Sequence, residues 1–192
     1  QPDLDVEPRL APTTPPVATS GYNASALPDL DGDGNLDLVI GVLGGAFNAN
    51  STAADNLHFY RGSASGRFAL ETERYLGQLD IGSDAVPAFG DLDGDGDLDL
   101  LIGSRLDPAT AKAPPLYRFT NTGTASEPAF EFEGLLRDSL SWTNAAPVLT
   151  DLDADGDLDL LIGTFNRDVR WYRNEGSSRA PAFVPTSADP IA

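Results

Sequence analysis

Three short stretches concentrate the chemistry of this chain: DLDGDGNLD at 29–37, DLDGDGDLD at 91–99 and DLDADGDLD at 151–159. The second puts five carboxylates into nine residues. Carboxylates this close repel one another, and no lysine or arginine lies within any of the three runs. Aspartates at positions 1, 3 and 5 converge when such a loop curls: Asp29, Asp31 and Asp33; Asp91, Asp93 and Asp95; Asp151, Asp153 and Asp155. Position 9 adds Asp37, Asp99 and Asp159. Position 7 varies between Asn35, Asp97 and Asp157, so its backbone carbonyl is the donor expected there. Gly34, Gly96 and Gly156 at position 6 permit the sharp turn. An all-oxygen donor set without His or Cys suits a hard cation, and several flexible carboxylates favour Ca²⁺ over Mg²⁺. An EF-hand is excluded, because its twelfth position needs a bidentate Glu where this chain has Ile40, Ile102 and Ile162. Solvated Asp-Gly hairpin turns would explain one such run, but not three with the same acid spacing.

Composition narrows the partners. The chain has 192 residues, formal net charge −18 and 41% hydrophobic content, with pI ≈ 4.1. Nucleic acid and anionic lipid surfaces are therefore poor partners. The runs hold 14 of the 30 acidic residues, so the acidity is concentrated in sites. There is no Cys, hence no disulfide, thiolate metal site or Cys nucleophile. No apolar run approaches the roughly 20 residues of a membrane span, and no signal peptide is visible. The chain starts at Gln1 and lacks Met, the appearance of a processed secreted protein or of a trimmed one.

The acidic runs belong to a larger repeat, spaced 62 and 60 residues apart. A small-and-apolar segment precedes each run: ASALP at 24–28, AVPAFG at 85–90 and AAPVLT at 145–150. A strand ending in Ile-Gly comes after it: LDLVIG at 36–41, LDLLIG at 98–103 and LDLLIG at 158–163. Alternating aromatic segments come next, LHFYRG at 57–62, LYRFTN at 116–121 and VRWYRN at 169–174, and then PAFEFEG at 128–134 and PAFVPT at 181–186. Period-2 alternation with Gly, Pro and Asn punctuation reads as short strands. Each repeat is predicted to have four strands, A to D, with the acidic run joining A to B.

DLDGDGNLDLVIG, DLDGDGDLDLLIG and DLDADGDLDLLIG resemble the calcium-binding FG-GAP or VCBS repeats that build β-propeller blades, as in integrin α-subunit heads. The resemblance implies an all-β fold of three four-stranded blades, completed by another copy, in one module over 1–192. Its blade repeats would span about 21–76, 84–137 and 144–188, behind a leading strand at 2–10. It also implies three Ca²⁺ per chain, bound through Asp29, Asp31, Asp33 and Asp37, through Asp91, Asp93, Asp95 and Asp99, and through Asp151, Asp153, Asp155 and Asp159. Two departures stand out: Phe-Gly survives only at Phe89-Gly90, and position 4 of the third run is Ala154.

Three blades fall short of the 4 to 8 of ordinary propellers and leave apolar flanks open. The segments at 2–6 and 181–192 both resemble D strands, which points to strand exchange between copies. A six-bladed dimer or a head-to-tail filament would result, the third alternative being a piece of a longer propeller. The expectation is a secreted or cell-surface calcium-binding module, structural, adhesive or self-assembling, that is no enzyme. Its partners would be itself or an extracellular protein or glycan. The alternatives are a carbohydrate-binding lectin, or a non-catalytic segment of a larger polysaccharide-active enzyme. His58, the lone histidine, reads as an exposed strand residue, and Trp171 and Tyr172 as packing between blades. Trp142 sits in a D-to-A connection, residues 44–56 form a long B-to-C insertion, and Asn23 and Asn50 head glycosylation sequons.

Overall fold

Alternating apolar residues bounded by turn formers leave the backbone little choice but short strands, and these must then bury one another's faces. The computed structural model describes residues 24–41, 57–72, 75–76, 84–104, 116–136, 144–165 and 168–187. The first sheet consists of β1 (Ala24–Ala26), β2 (Leu38–Gly41), β3 (Leu57–Arg61) and β4 (Ala69–Thr72). The second has β5 (Val86–Gly90), β6 (Asp99–Gly103), β7 (Leu116–Asn121) and β8 (Phe130–Leu136). The third has β9 (Ala146–Thr150), β10 (Asp159–Gly163), β11 (Val169–Asn174) and β12 (Phe183–Pro185). Each is a four-stranded antiparallel meander in sequence order, the form of a propeller blade. Pro87, Pro147 and Pro185 all fall on edge strands, where a missing N–H does least harm. Among the described residues, no helix is long and apolar enough to cross a membrane.

The leading strand expected at 2–10, the insertion at 44–56, Asn23, Asn50 and Trp142 lie outside the described residues. In the first repeat the fourth strand, for which the sequence has no PAF-type segment, is β4. It also corrects one reading. His58 is buried, because β3 is an interior strand screened by β2 and β4.

The core lies between the blades. One cluster joins Leu30, Val39 and Leu57 of the first blade to Leu100, Ile102 and Phe119 of the second. The other joins Leu92, Leu101 and Leu116 of the second blade to Leu160, Ile162 and Tyr172 of the third. Successive side chains of a strand point to opposite faces, so β6 sends Leu100 and Ile102 one way and Leu101 the other. All five of its residues are buried.

The repeated Ile-Gly ending now has a physical reason. A Cβ added at Gly41 would lie 1.8 Å from the carbonyl oxygen of Ala85, and one at Gly103 would lie 2.0 Å from that of Ala145. Each glycine thus marks where the next blade's backbone crosses. At Gly163 the nearest atom is the Ala146 Cβ at 3.8 Å, an ordinary contact within its own blade. Gly103→Ala should therefore destabilise the protein by about 1–3 kcal/mol through overpacking. Gly163→Ala should stay within about 0.5 kcal/mol, as surface substitutions do. Denaturant unfolding of the two variants checks this, and equal losses would contradict the crossing.

Candidate metal centre

Each acidic run closes the antiparallel hairpin between strands A and B, and each is folded by its own carboxylates. The position-1 aspartate accepts the N–H of position 6: Gly34 to Asp29 at 3.0 Å, Gly96 to Asp91 at 3.1 Å and Gly156 to Asp151 at 3.1 Å. The position-5 aspartate accepts the N–H of position 7: Asn35 to Asp33 at 2.8 Å, Asp97 to Asp95 at 2.9 Å and Asp157 to Asp155 at 3.2 Å. Positions 4 and 6 take left-handed backbone, which is why glycine prevails there. Ala154 accepts this conformation at φ 61°. At the equivalent Gly94 a Cβ would come 2.6 Å from Arg179 Cγ of the third blade, so a side chain there would have to displace Arg179.

Position 9 plays a different part. One oxygen of Asp37, Asp99 and Asp159 accepts the position-2 N–H, from Leu30 at 3.1 Å, Leu92 at 2.8 Å and Leu152 at 3.3 Å. The other oxygen accepts an N–H at the end of strand C, from Gly62 at 2.7 Å, Asn121 at 2.9 Å and Asn174 at 2.8 Å. All three carboxylates are buried. Desolvation pushes the Asp37 and Asp99 carboxyls above the usual carboxylate range, while these backbone hydrogen bonds pull the other way. Trp171, expected only to pack, also donates its indole N–H to Asp159 at 3.1 Å.

Carboxylate oxygens of Asp29, Asp31 and Asp33 lie within 4.8 Å of one another, as do those of Asp91, Asp93 and Asp99, and those of Asp151, Asp153 and Asp155. The structure thus gathers positions 1, 3 and 5 in the outer loops and positions 1, 3 and 9 in the middle one. Asn35, Asp95, Asp97 and Asp157, with Asp37 and Asp159, stay outside these triads. Asp29 Oδ1, Asp153 Oδ1 and Asp157 Oδ1 are shielded from water and accept no hydrogen bond. Desolvation, then the neighbouring Asp95 charge, raises the pKa of Asp93. Converging oxygens, two of the triads with a buried oxygen lacking a donor, fit a hard cation.

Sequence reasoning missed two basic neighbours. Arg61 pairs with Asp31, and Arg173 pairs with Asp153 at 2.7 Å and Asp155 at 3.5 Å. The signal was the fifth residue of LHFYR and VRWYR, where LYRFT has Thr120.

Residues 29–102 match the family model of the FG-GAP-like repeat. The chain carries an FG-GAP-like repeat. The matched stretch takes in the first two acidic loops, and the loop at 151–159, outside it, keeps their acid spacing. No curated protein matches the chain.

The position-9 clasp leads to a direct test in metal-free buffer. Asp99→Ala strands the N–H groups of Leu92 and Asn121 in a buried setting, at about 1–3 kcal/mol each. Asp97→Ala, which removes an equal charge from the rim of the same loop, should change stability by about 0.5 kcal/mol or less. Chemical denaturation of both variants in chelator separates the clasp from simple charge relief.

Proposed function

We propose that this chain is a calcium-binding, extracellular β-propeller module that works by binding and assembly and not by catalysis. The observation that carries the reading is the threefold convergence of carboxylate oxygens within 4.8 Å. The donors are all oxygen, and the repulsion among the acids needs an opposing charge. Ca²⁺ bound there would supply that charge. On this reading the affinity falls in the range of extracellular calcium modules, Kd about 10⁻⁴–10⁻³ M. Calorimetric titration should find three Ca²⁺ per chain. At a hundredfold excess over Kd each adds about 2.7 kcal/mol of stability, so chelation should lower the Tm by tens of degrees. A melting curve indifferent to EDTA, or a preference for Zn²⁺, contradicts the assignment.

Assembly through a second copy is the remaining part of the reading. Equivalent positions in the three blades differ mainly in whether another blade packs against them: Leu30 is 2% exposed, Leu92 1% and Leu152 42%. Val148 and Val169 are exposed on the same third blade, where Ala88 and Leu116 of the second are buried. The first blade exposes Leu27 and Leu36, whose third-blade counterparts Leu149 and Leu158 press on Gly90 of the second. One end of the chain thus carries the surface that its own interfaces pair with the other end. A second copy seated there would continue the blade interface already formed twice, closing a ring or extending a filament. Light scattering in millimolar calcium should show more than the 20.2 kDa of one chain. Val148→Asp or Leu152→Asp should return it to a folded monomer. A native protein that stays monomeric would falsify this part and leave the calcium reading untouched.

A further inference from the structure

We infer that Arg61 and Arg173 are built-in counter-cations that weaken calcium binding at the first and third loops, leaving the middle loop the tightest of the three. The inference rests on the calcium reading above and adds a ranking that the acid spacing alone does not contain.

The two arginines occupy the same place. Arg61, Thr120 and Arg173 each precede the residue whose N–H caps the position-9 aspartate. From there Arg61 reaches the position-3 Asp31, and Arg173 reaches the position-3 Asp153. Thr120 instead donates to Glu133 at 2.9 Å. Arg118, the nearest basic side chain on β7, also turns to Glu133, at 2.7 Å. Among the described residues, no ion pair joins a basic side chain to an aspartate of the middle loop. Arg118 faces Asp99 and Arg179 of the third blade lies beside Gly94, yet neither is ion-paired with a middle-loop aspartate. The three clusters therefore differ in whether a guanidinium holds a chelating oxygen.

A guanidinium on a chelating carboxylate opposes a cation twice, by holding the oxygen and by repelling the ion. The two arginines differ in how readily they yield. Arg61 also contacts Glu71 at 3.3 Å. It borders a cavity of about 270 Å³ lined by Asp31, Phe59, Tyr75 and Glu127, so it can leave Asp31 without losing every acidic partner. Arg173 spans Asp153 and Asp155, both members of the third triad. The resulting affinity order is middle, first, third. A module so graded fills in steps as calcium rises.

Calcium titration of the full chain by calorimetry tests this. The native protein should show one tight site and two weaker ones. Arg61→Gln with Arg173→Gln should tighten the weak pair by about tenfold, and Thr120→Arg should weaken the tight site by a similar factor. Arg173→Lys keeps the charge and should keep the third site weak. Both arginine side chains are nearly half exposed, and unfolding curves in chelator verify that the variants fold. Equal affinities at all three loops, unmoved by these substitutions, overturn the inference while the calcium reading stands. No calcium uptake by any variant overturns both.

Discussion

A buried aspartate holds each blade to its loop. Asp37, Asp99 and Asp159 stand at the end of the acidic run, with one oxygen on the run's second N–H and the other on the end of the third strand. A carboxylate has the lone pairs to accept both, and a backbone N–H without a partner would be costly at that depth. This ties the A–B hairpin to strand C before any metal is considered. It also gives the remaining acids of each run a fixed base. The price is a desolvated charge, visible in the raised pKa of Asp37 and Asp99.

With the loops fixed, the blades can stack in register. Leu30 and Leu92, one residue into their loops, are carried into the interface with the next blade. Gly41 and Gly103 then let that blade's backbone cross at close range. Loop and core are thus parts of one interface. The two clusters share β6, whose alternate side chains feed both. Beyond the acids, Asn121 and Asn174 repeat the device one step outward. Each side-chain oxygen accepts two N–H groups of the adjoining turn, from Gly123 and Ala129 and from Gly176 and Ala182. The first blade has Gly62 there, because a Cβ would lie 2.0 Å from the Leu36 carbonyl oxygen.

The charge pattern sits on this scaffold and obeys different rules. Hydrogen bonds within the loops occupy both oxygens of Asp91 and Asp151 but leave Asp29 Oδ1, Asp153 Oδ1 and Asp157 Oδ1 buried without a donor, so folding alone does not satisfy the set. Arginine answers part of that demand in two loops, at partly exposed positions where an ion pair contributes little stability. On the proposed calcium reading, its consequence falls on how tightly the loop holds the ion.

The sequence by itself determined the repeat, its four-strand rhythm and the acidic loops, because these depend on local spacing: period-2 alternation, glycine at left-handed turns, aspartate at every second place. Tertiary structure decided what identical motifs become. Ile-Gly is a crossing point at Gly103 and an open position at Gly163, since only the first has a blade packed against it. The leucine at position 2 is buried at Leu92 and exposed at Leu152 for the same reason. The position-9 aspartates read only as further chelators in sequence, yet the fold also makes each a buried clasp, Asp99 while still a member of its triad, because their partners come from a strand 15 to 25 residues away. His58 and the two loop arginines were illegible for a related reason. Their neighbours are assembled by strand pairing, and no local pattern encodes which acid a strand's side chain will meet.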